Sequence, residues 1–308
     1  MFKRLYNKAK ISYKLSPETA LLIKSQETID PALPDMSFVR MSTPWGETIY
    51  IPGSSIKGVF RATSEAILKT FGKKVCNSVE PRENCGGKEK KNEHNIKEDE
   101  KLPYKFHCWA CKTYGSTEMA GRVCFSDLYP WEENDAVEKR KQKVLYLLEY
   151  TSIRPGVSID RKKGNVKAGP FEMEILTGGE LFGSITFTNY QLWQVGMILK
   201  VIEMANDGLV KFGYAKSRGP GRVKIDITGM EFLQTGPLLD KPLSGTGEIE
   251  NLRKEYGLVD NDSIPDYLNG EEDGIFKKFK IGKEDKNIID NLIKKFKEFL
   301  EKKEEENL

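Results

Sequence analysis

Residues 73–107 constrain this chain more than any other stretch: dense in Lys, Glu, Asn and Gly and poor in aliphatics, they cannot close around a hydrophobic core of their own. Inside an otherwise foldable chain they read as a surface insertion over residues 72–112 that needs a staple. The cysteines offer one. Cys76, Cys85, Cys108 and Cys111 border the stretch, and the two-residue gap in Cys108-Trp109-Ala110-Cys111 lets both thiolates reach one tetrahedral Zn²⁺. Four thiolates leave no open position, so the expected ion is structural. His107 or His94 could replace one ligand, and a redox pair or plain buried cysteines are the competing readings. Cys124, inside an apolar run, reads as a core residue.

Around the insertion, strand and helix signals alternate sparsely. Residues 4–15 alternate apolar and polar positions and predict a first strand. From Ser16 to Tyr50, Pro17, Pro31, Pro34 and Pro44 break regular structure, which leaves an extended loop or irregular hairpin. IPGSSIKGVFRATSEAILKTFG predicts a helix capped by Ser54 or Ser55, with Ile56, Val59, Phe60, Ile67 and Leu68 inward. GRVCFSDLYP, ELFGSITFTNY and GRVKIDITGM predict strands. Residues 150–176, with the preceding VLYLLEY, read as two apolar arms around a charged tip at 160–169, a projecting β-hairpin. QLWQVGMILKVIEMAND is an amphipathic helix with Leu192, Val195, Ile198, Leu199 and Ile202 inward. The fold class expected is α+β, a split βαβ or ferredoxin-like sheet over residues 1–234. Beyond it, PLLDKPLSGTGE reads as a linker and a helix near 284–305 completes a C-terminal helical extension over 235–308.

Charge is unevenly spread. Of 49 Lys/Arg and 46 Asp/Glu, residues 248–308 hold 12 and 17, so the body to residue 247 keeps 37 basic against 29 acidic groups. That lean permits a polyanionic partner. No run reaches the roughly 20 apolar residues of a membrane span, and the N-terminus lacks a secretory core, so a cytoplasmic protein is expected.

Two segments are built to meet anions. In GYAKSRGPGRVKI, Gly213, Gly219 and Gly221 surround Lys216, Ser217, Arg218 and Arg222; glycines let backbone N–H groups approach a phosphate that the cations neutralise. A tight turn entering an edge strand is the plainer alternative. In the second, Gly53, Ser54 and Ser55 stand at a helix N-terminus, followed by Lys57 and Arg61 four residues apart on one face. A capped helix with surface bases would look the same. Trp45, Tyr129 and Trp131 could stack on bases, but no base contact is assigned to them.

Taken in order, IPGSSIKGVFR, CWACKTYGS with GRVCFSD, GVSIDRKKGNVKAGPFEMEIL and GYAKSRGPGRVKI resemble the RAMP superfamily of CRISPR-associated proteins, and within it the repeated backbone subunit of type III (Csm-like) effector complexes. The resemblance spans about residues 5–230. It implies a ferredoxin-like, RRM-like core with a zinc-binding lid, and a hairpin thumb at 156–170 with Ile159, Arg161 and Lys163 near its tip. It implies guide RNA and complementary target RNA as partners, with other subunits in a head-to-tail filament. It also implies a catalytic aspartate in the loop before the IPGSS helix, where the family carries a context like D-S-P-V. Here Asp35-Met36-Ser37-Phe38-Val39 occupies that stretch, so Asp35 is the candidate and Asp30 the runner-up. The implied reaction is target-RNA cleavage with Mg²⁺ or another divalent cation. A non-catalytic structural paralogue is the alternative.

Overall fold

Strand β1 (Asn7–Pro17) sets the architecture, because its alternation is complete: Ala9, Ile11, Tyr13 and Leu15 are buried while Lys8, Lys10, Ser12 and Lys14 point to the opposite face. The computed structural model describes residues 3–25, 34–160, 162–265, 268, 270–282 and 285–302. After β1 come a short hairpin, β2 (Arg40–Thr43) and β3 (Gly46–Ile49), and helix α1 (Gly53–Thr70). The insertion contributes α2 (Lys88–Glu93) and α3 (Trp109–Tyr114). Then follow β4 (Val123–Phe125), α4 (Val137–Leu148), β5 (Thr151–Ile159) and β6 (Val166–Leu176). The rest of the chain carries β7 (Leu181–Thr188), α5 (Leu192–Asn206), β8 (Val223–Thr235), α6 (Glu250–Tyr256), β9 (Glu271–Asp273), β10 (Phe276–Ile281) and α7 (Lys286–Glu301).

The main sheet is antiparallel throughout, in the order β4-β7-β1-β8-β10-β9. Its inward residues share one core with Ile56, Phe60 and Leu68 of α1 and with almost the whole of α5. Helix α5 starts on a reciprocal capping box between Gln191 and Gln194, and all five residues expected inward on it are buried. The fold is therefore mixed α+β.

Four expectations need correction. The run VLYLL belongs to α4, where the polar turn Glu138-Lys139-Arg140-Lys141 precedes it and only Val144 and Leu147 are buried; the hairpin of β5 and β6 begins only at Thr151. Strand β8 lies between β1 and β10 and is not an edge. The stretch expected as a linker is built into the body: Leu238, Leu243, Ser244 and Thr246 are buried, and Ser244 N donates to Gln234 Oε1 at 2.5 Å. Finally, the C-terminal segment is not only helical, because β10 pairs with β8 and extends the sheet.

The last helix packs on its own chain. Ile288, Leu292, Phe296, Phe299 and Leu300 of α7 are buried against α5, each side chain contributing about 1.5–3 kcal/mol when fully withdrawn from water. Gly196 permits the approach, since a Cβ there would collide with the carbonyl oxygen of Leu292. The irregular segment after β1 also feeds the core through Leu21, Leu22, Ile23 and Phe38, and it touches the hairpin at Leu21↔Leu176 and Met36↔Met173.

Candidate metal centre and anion-binding segments

Cys108 is the N-cap of α3 and Cys111 ends its first turn, so both sulfurs emerge at one helix end, and Cys111 N donates to Cys108 Sγ at 3.4 Å. Cys76 and Cys85 arrive from the loop before α2. All four Sγ atoms lie within 4.8 Å of one another, with Cys76–Cys111 and Cys76–Cys108 both at 3.6 Å. A tetrahedron of Zn–S bonds of about 2.3 Å has edges of about 3.8 Å, so the spacing fits a metal and is far too long for the ~2.05 Å of a disulfide. The cluster could hold a metal ion such as zinc. Cys85, Cys108 and Cys111 are buried and Cys76 is half-buried, as expected of a closed site. Hydrogen bonding among the four sulfurs, with Cys111 first, lowers the Cys108 thiol strongly, while hydrogen bonding with Cys108 raises Cys111 and Cys85.

Neither histidine joins the cluster. His107 contacts Pro103 O at 3.1 Å through Nδ1 and Ser116 Oγ at 3.2 Å through Nε2, which leaves no ring nitrogen for a metal, and burial lowers its pKa. His94 stacks on Phe106 with centroids 4.0 Å apart. Cys124 is exposed, because β4 turns its middle residue outward.

Helix α1 begins at Gly53 with Pro52 as its N-cap and no side-chain cap, so Ser54 and Ser55 stand inside the first turn and do not cap it. Glycine is required at 53, where a Cβ would strike the carbonyl oxygens of Phe125 and Ser126. The backbone N–H of Gly53 donates to Asp127 Oδ1 at 2.7 Å, and Asp127 Oδ2 accepts from the Tyr129 hydroxyl at 3.2 Å. A carboxylate thus already occupies part of the positive helix end. Sequence reasoning missed Asp127, although it closes the quoted run GRVCFSD. Arg61 is also committed: it donates to Glu65 Oε1 at 2.7 Å, Gly115 O at 3.1 Å and Cys111 Sγ at 3.4 Å. Lys57 is half-buried and has no hydrogen-bond or ion-pair partner among the described residues.

In the glycine-rich segment the three glycines play different parts. A Cβ on Gly213 would meet Leu22 O and one on Gly221 would meet Phe212 O, so these two serve close approach of the chain to itself. Gly219 has φ +112° and open space beside it. Lys216, Ser217, Arg218 and Gly219 form an exposed turn entered through Ala215 in the left-handed region, φ 57°. Arg222 is tied to Glu18 at 2.8 Å. This segment and α1 meet in the core, where the Phe60 and Phe212 rings lie 6.2 Å apart.

Asp35 is exposed at the foot of the hairpin, where its Oδ2 accepts from Glu172 N at 2.8 Å. Beside it Glu174 accepts from Phe38 N at 2.9 Å and pairs with Arg40, which ties the loop to β6; nothing local in the sequence announces that pair. At the hairpin tip, Asp160 Oδ1 accepts from Lys162 N at 2.8 Å and Lys163 N at 3.1 Å, and Lys163 is exposed. Ile159 pairs with Val166. Asp30 and Arg161 lie outside the described residues. Tyr129 stacks on Trp131 at 5.0 Å, so those rings are already partnered by each other.

Among the described residues no helix is long and apolar enough to cross a membrane. The family model for RAMPs, the RAMP superfamily, matches residues 19–224. No curated protein matches the chain.

Proposed function

This chain belongs to the RAMP superfamily, and on that premise we propose that it is a backbone subunit of a type III CRISPR effector complex that binds guide RNA and cleaves the paired target RNA. The observation that carries the reading is the exposed turn Lys216-Ser217-Arg218-Gly219, two cations on an open backbone next to α1. Such a turn suits a ribose-phosphate chain, which neutralises the cations and accepts from the backbone N–H groups. The strand order β4-β7-β1-β8, with α1 and α5 as the crossing helices, supports a ferredoxin-like core. Binding of this kind is independent of base sequence, as fits a system in which the guide supplies specificity by pairing. Neighbouring subunits would follow one another head to tail along the RNA, in the cytoplasm.

In this reading zinc in the cysteine cluster is structural and closes the lid. Asp35 is the cleaving carboxylate, with Asp30 second. It would take the proton of the target's 2′-OH or hold a divalent cation such as Mg²⁺ against the scissile phosphate. The 2′ oxygen bonds to phosphorus as the 5′ oxygen leaves, giving a cyclic phosphate and a free 5′-OH. Asp35 suits this role because it is exposed beside the hairpin proposed as the thumb. One observation favours a non-catalytic paralogue instead: the same carboxylate accepts from Glu172 N and so has a structural use.

The assembled complex carrying Asp35→Ala separates the two. We expect target binding to persist and cleavage to fall by at least about a hundredfold. Cleavage at the wild-type rate would assign the subunit a structural role only. Sequencing the RNA that co-purifies with the complex tests the class: guide RNAs are expected, and their absence would overturn it.

A further inference from the structure

Each of the three buried sulfurs of the cysteine cluster receives an N–H. Cys85 Sγ accepts from Cys108 N at 3.2 Å and Cys108 Sγ from Cys111 N at 3.4 Å. Cys111 Sγ accepts from a cation instead, Arg61 Nη2 at 3.4 Å. Arg61 reaches that sulfur from the third turn of α1, and its guanidinium is held on the other two nitrogens as well: Nε donates to Glu65 Oε1 at 2.7 Å and Nη1 to Gly115 O at 3.1 Å. Gly115 closes α3, and its N donates to Cys111 O at 2.9 Å, so both groups that Arg61 grips there belong to one helical turn. Helices α1 and α3 are joined a second time, independently, by Ser64 Oγ and the Tyr114 hydroxyl at 2.8 Å.

A divalent ion on four thiolates leaves a centre with a net charge of about −2. Negative charge on a buried sulfur is costly unless a donor meets it, and a charged donor meets it best. Partners outside the ligand set also fix the orientation of metal ligands and tune how strongly they bind. The planar fork of Arg61 serves Glu65 and the sulfur with separate nitrogens, so the ion pair on the helix does not compete with the bond to Cys111. We propose that Arg61 is a positioning residue of the metal centre: it supplies the counter-charge at Cys111, raises the affinity for a divalent metal and ties the cluster to α1. The inference rests on the reading of the cluster as a zinc site. It takes Arg61 out of the anion-facing set that spacing along α1 suggests.

The test uses the full chain with Zn²⁺ and Co²⁺ as probes. Zinc affinity is read by competition with a chromogenic chelator, and the thiolate-to-cobalt charge-transfer bands by ultraviolet absorption. Arg61→Met is expected to weaken zinc binding about 10- to 100-fold. Its cobalt bands are expected to move to lower energy, because a sulfur that has lost a cationic N–H gives up electron density more readily. Lys69→Met, exposed at the far end of the same helix, serves as the control with wild-type affinity and bands. If Arg61→Met does not fold, Arg61→Gln, neutral but still a donor, is expected to show a smaller loss and shift in the same directions. Wild-type affinity and bands in the folded variant would overturn the inference while the zinc site stands. Weaker binding with unmoved bands would overturn it too, since Arg61 would then only hold α1 to α3. If wild type itself binds neither metal, the zinc reading fails and the inference falls with it.

Discussion

Asp262 shows how much a single buried carboxylate can hold together. It accepts from Leu192 N at 2.7 Å, Gly247 N at 2.9 Å and Gln191 Nε2 at 3.3 Å, and so joins the N-terminus of α5 to the C-terminal segment. Burial pushes its carboxyl up to about 7, against donors that favour the ionised form. Its folded pKa is thus raised above the ordinary carboxylate value of about 3.9, and the folded state binds more protons in between. The resulting stabilisation is fully present below about pH 4 and is lost as pH rises through about 7. Urea denaturation should show wild-type stability falling between pH 5 and pH 8 relative to Asp262→Ala, which itself should cost about 2 kcal/mol by orphaning buried donors. A wild-type curve parallel to the variant's across that range would contradict the assignment. Nothing in the sequence marks Asp262, because its partners are about seventy residues away or across an apparent linker. The partners of Arg61 were hidden for the same reason: spacing shows that it shares a helix face with Lys57, but not that it donates to Gly115 O and Cys111 Sγ. The four cysteines were legible because metal-ligand spacing is a local signal.

At the scale of elements, the insertion and the core should separate energetically. Residues 73–111 hold few buried apolar side chains and close on the sulfur cluster, whereas β1 and β8 are paired along most of their length inside the sheet. A metal bound there stabilises the insertion by mass action and leaves the sheet alone. Chelation is expected to strip hydrogen-exchange protection from residues 73–111 while β1, α5 and β8 keep theirs. Loss of protection throughout would mean that the cluster supports the whole fold; no loss anywhere would mean that the thiols alone close the insertion. The hairpin of β5 and β6 was legible from its two arms and turn residues. Helix α4 was not, since a short apolar run such as VLYLL fits helix or strand equally until its polar neighbours are placed.

Across the whole molecule, the legible part is the framework of β1, α1, β7, α5 and β8, where periodicity runs long enough to fix both type and inward face. In the C-terminal quarter only the last helix was legible; the stretch before it was not, because Pro, Gly and Ser composition imitates a linker while long-range burial of Leu238 and Leu243 decides otherwise. The strands β9 and β10 are three and six residues long, too short to stand out before a partner strand is known. The cations of the outer sheet face at Lys10 and Lys14 are paired with Glu133 and Glu180, so the proposed grip on an RNA backbone depends on the hairpin and on the exposed basic turn. Ultraviolet crosslinking of the full chain to a guide-length single-stranded RNA, read out by mass spectrometry, tests that grip most directly. Adducts at Lys57, Lys163 and Lys216–Arg218 are expected, whereas a protein that crosslinks only through residues 248–308, or not at all, would contradict the account.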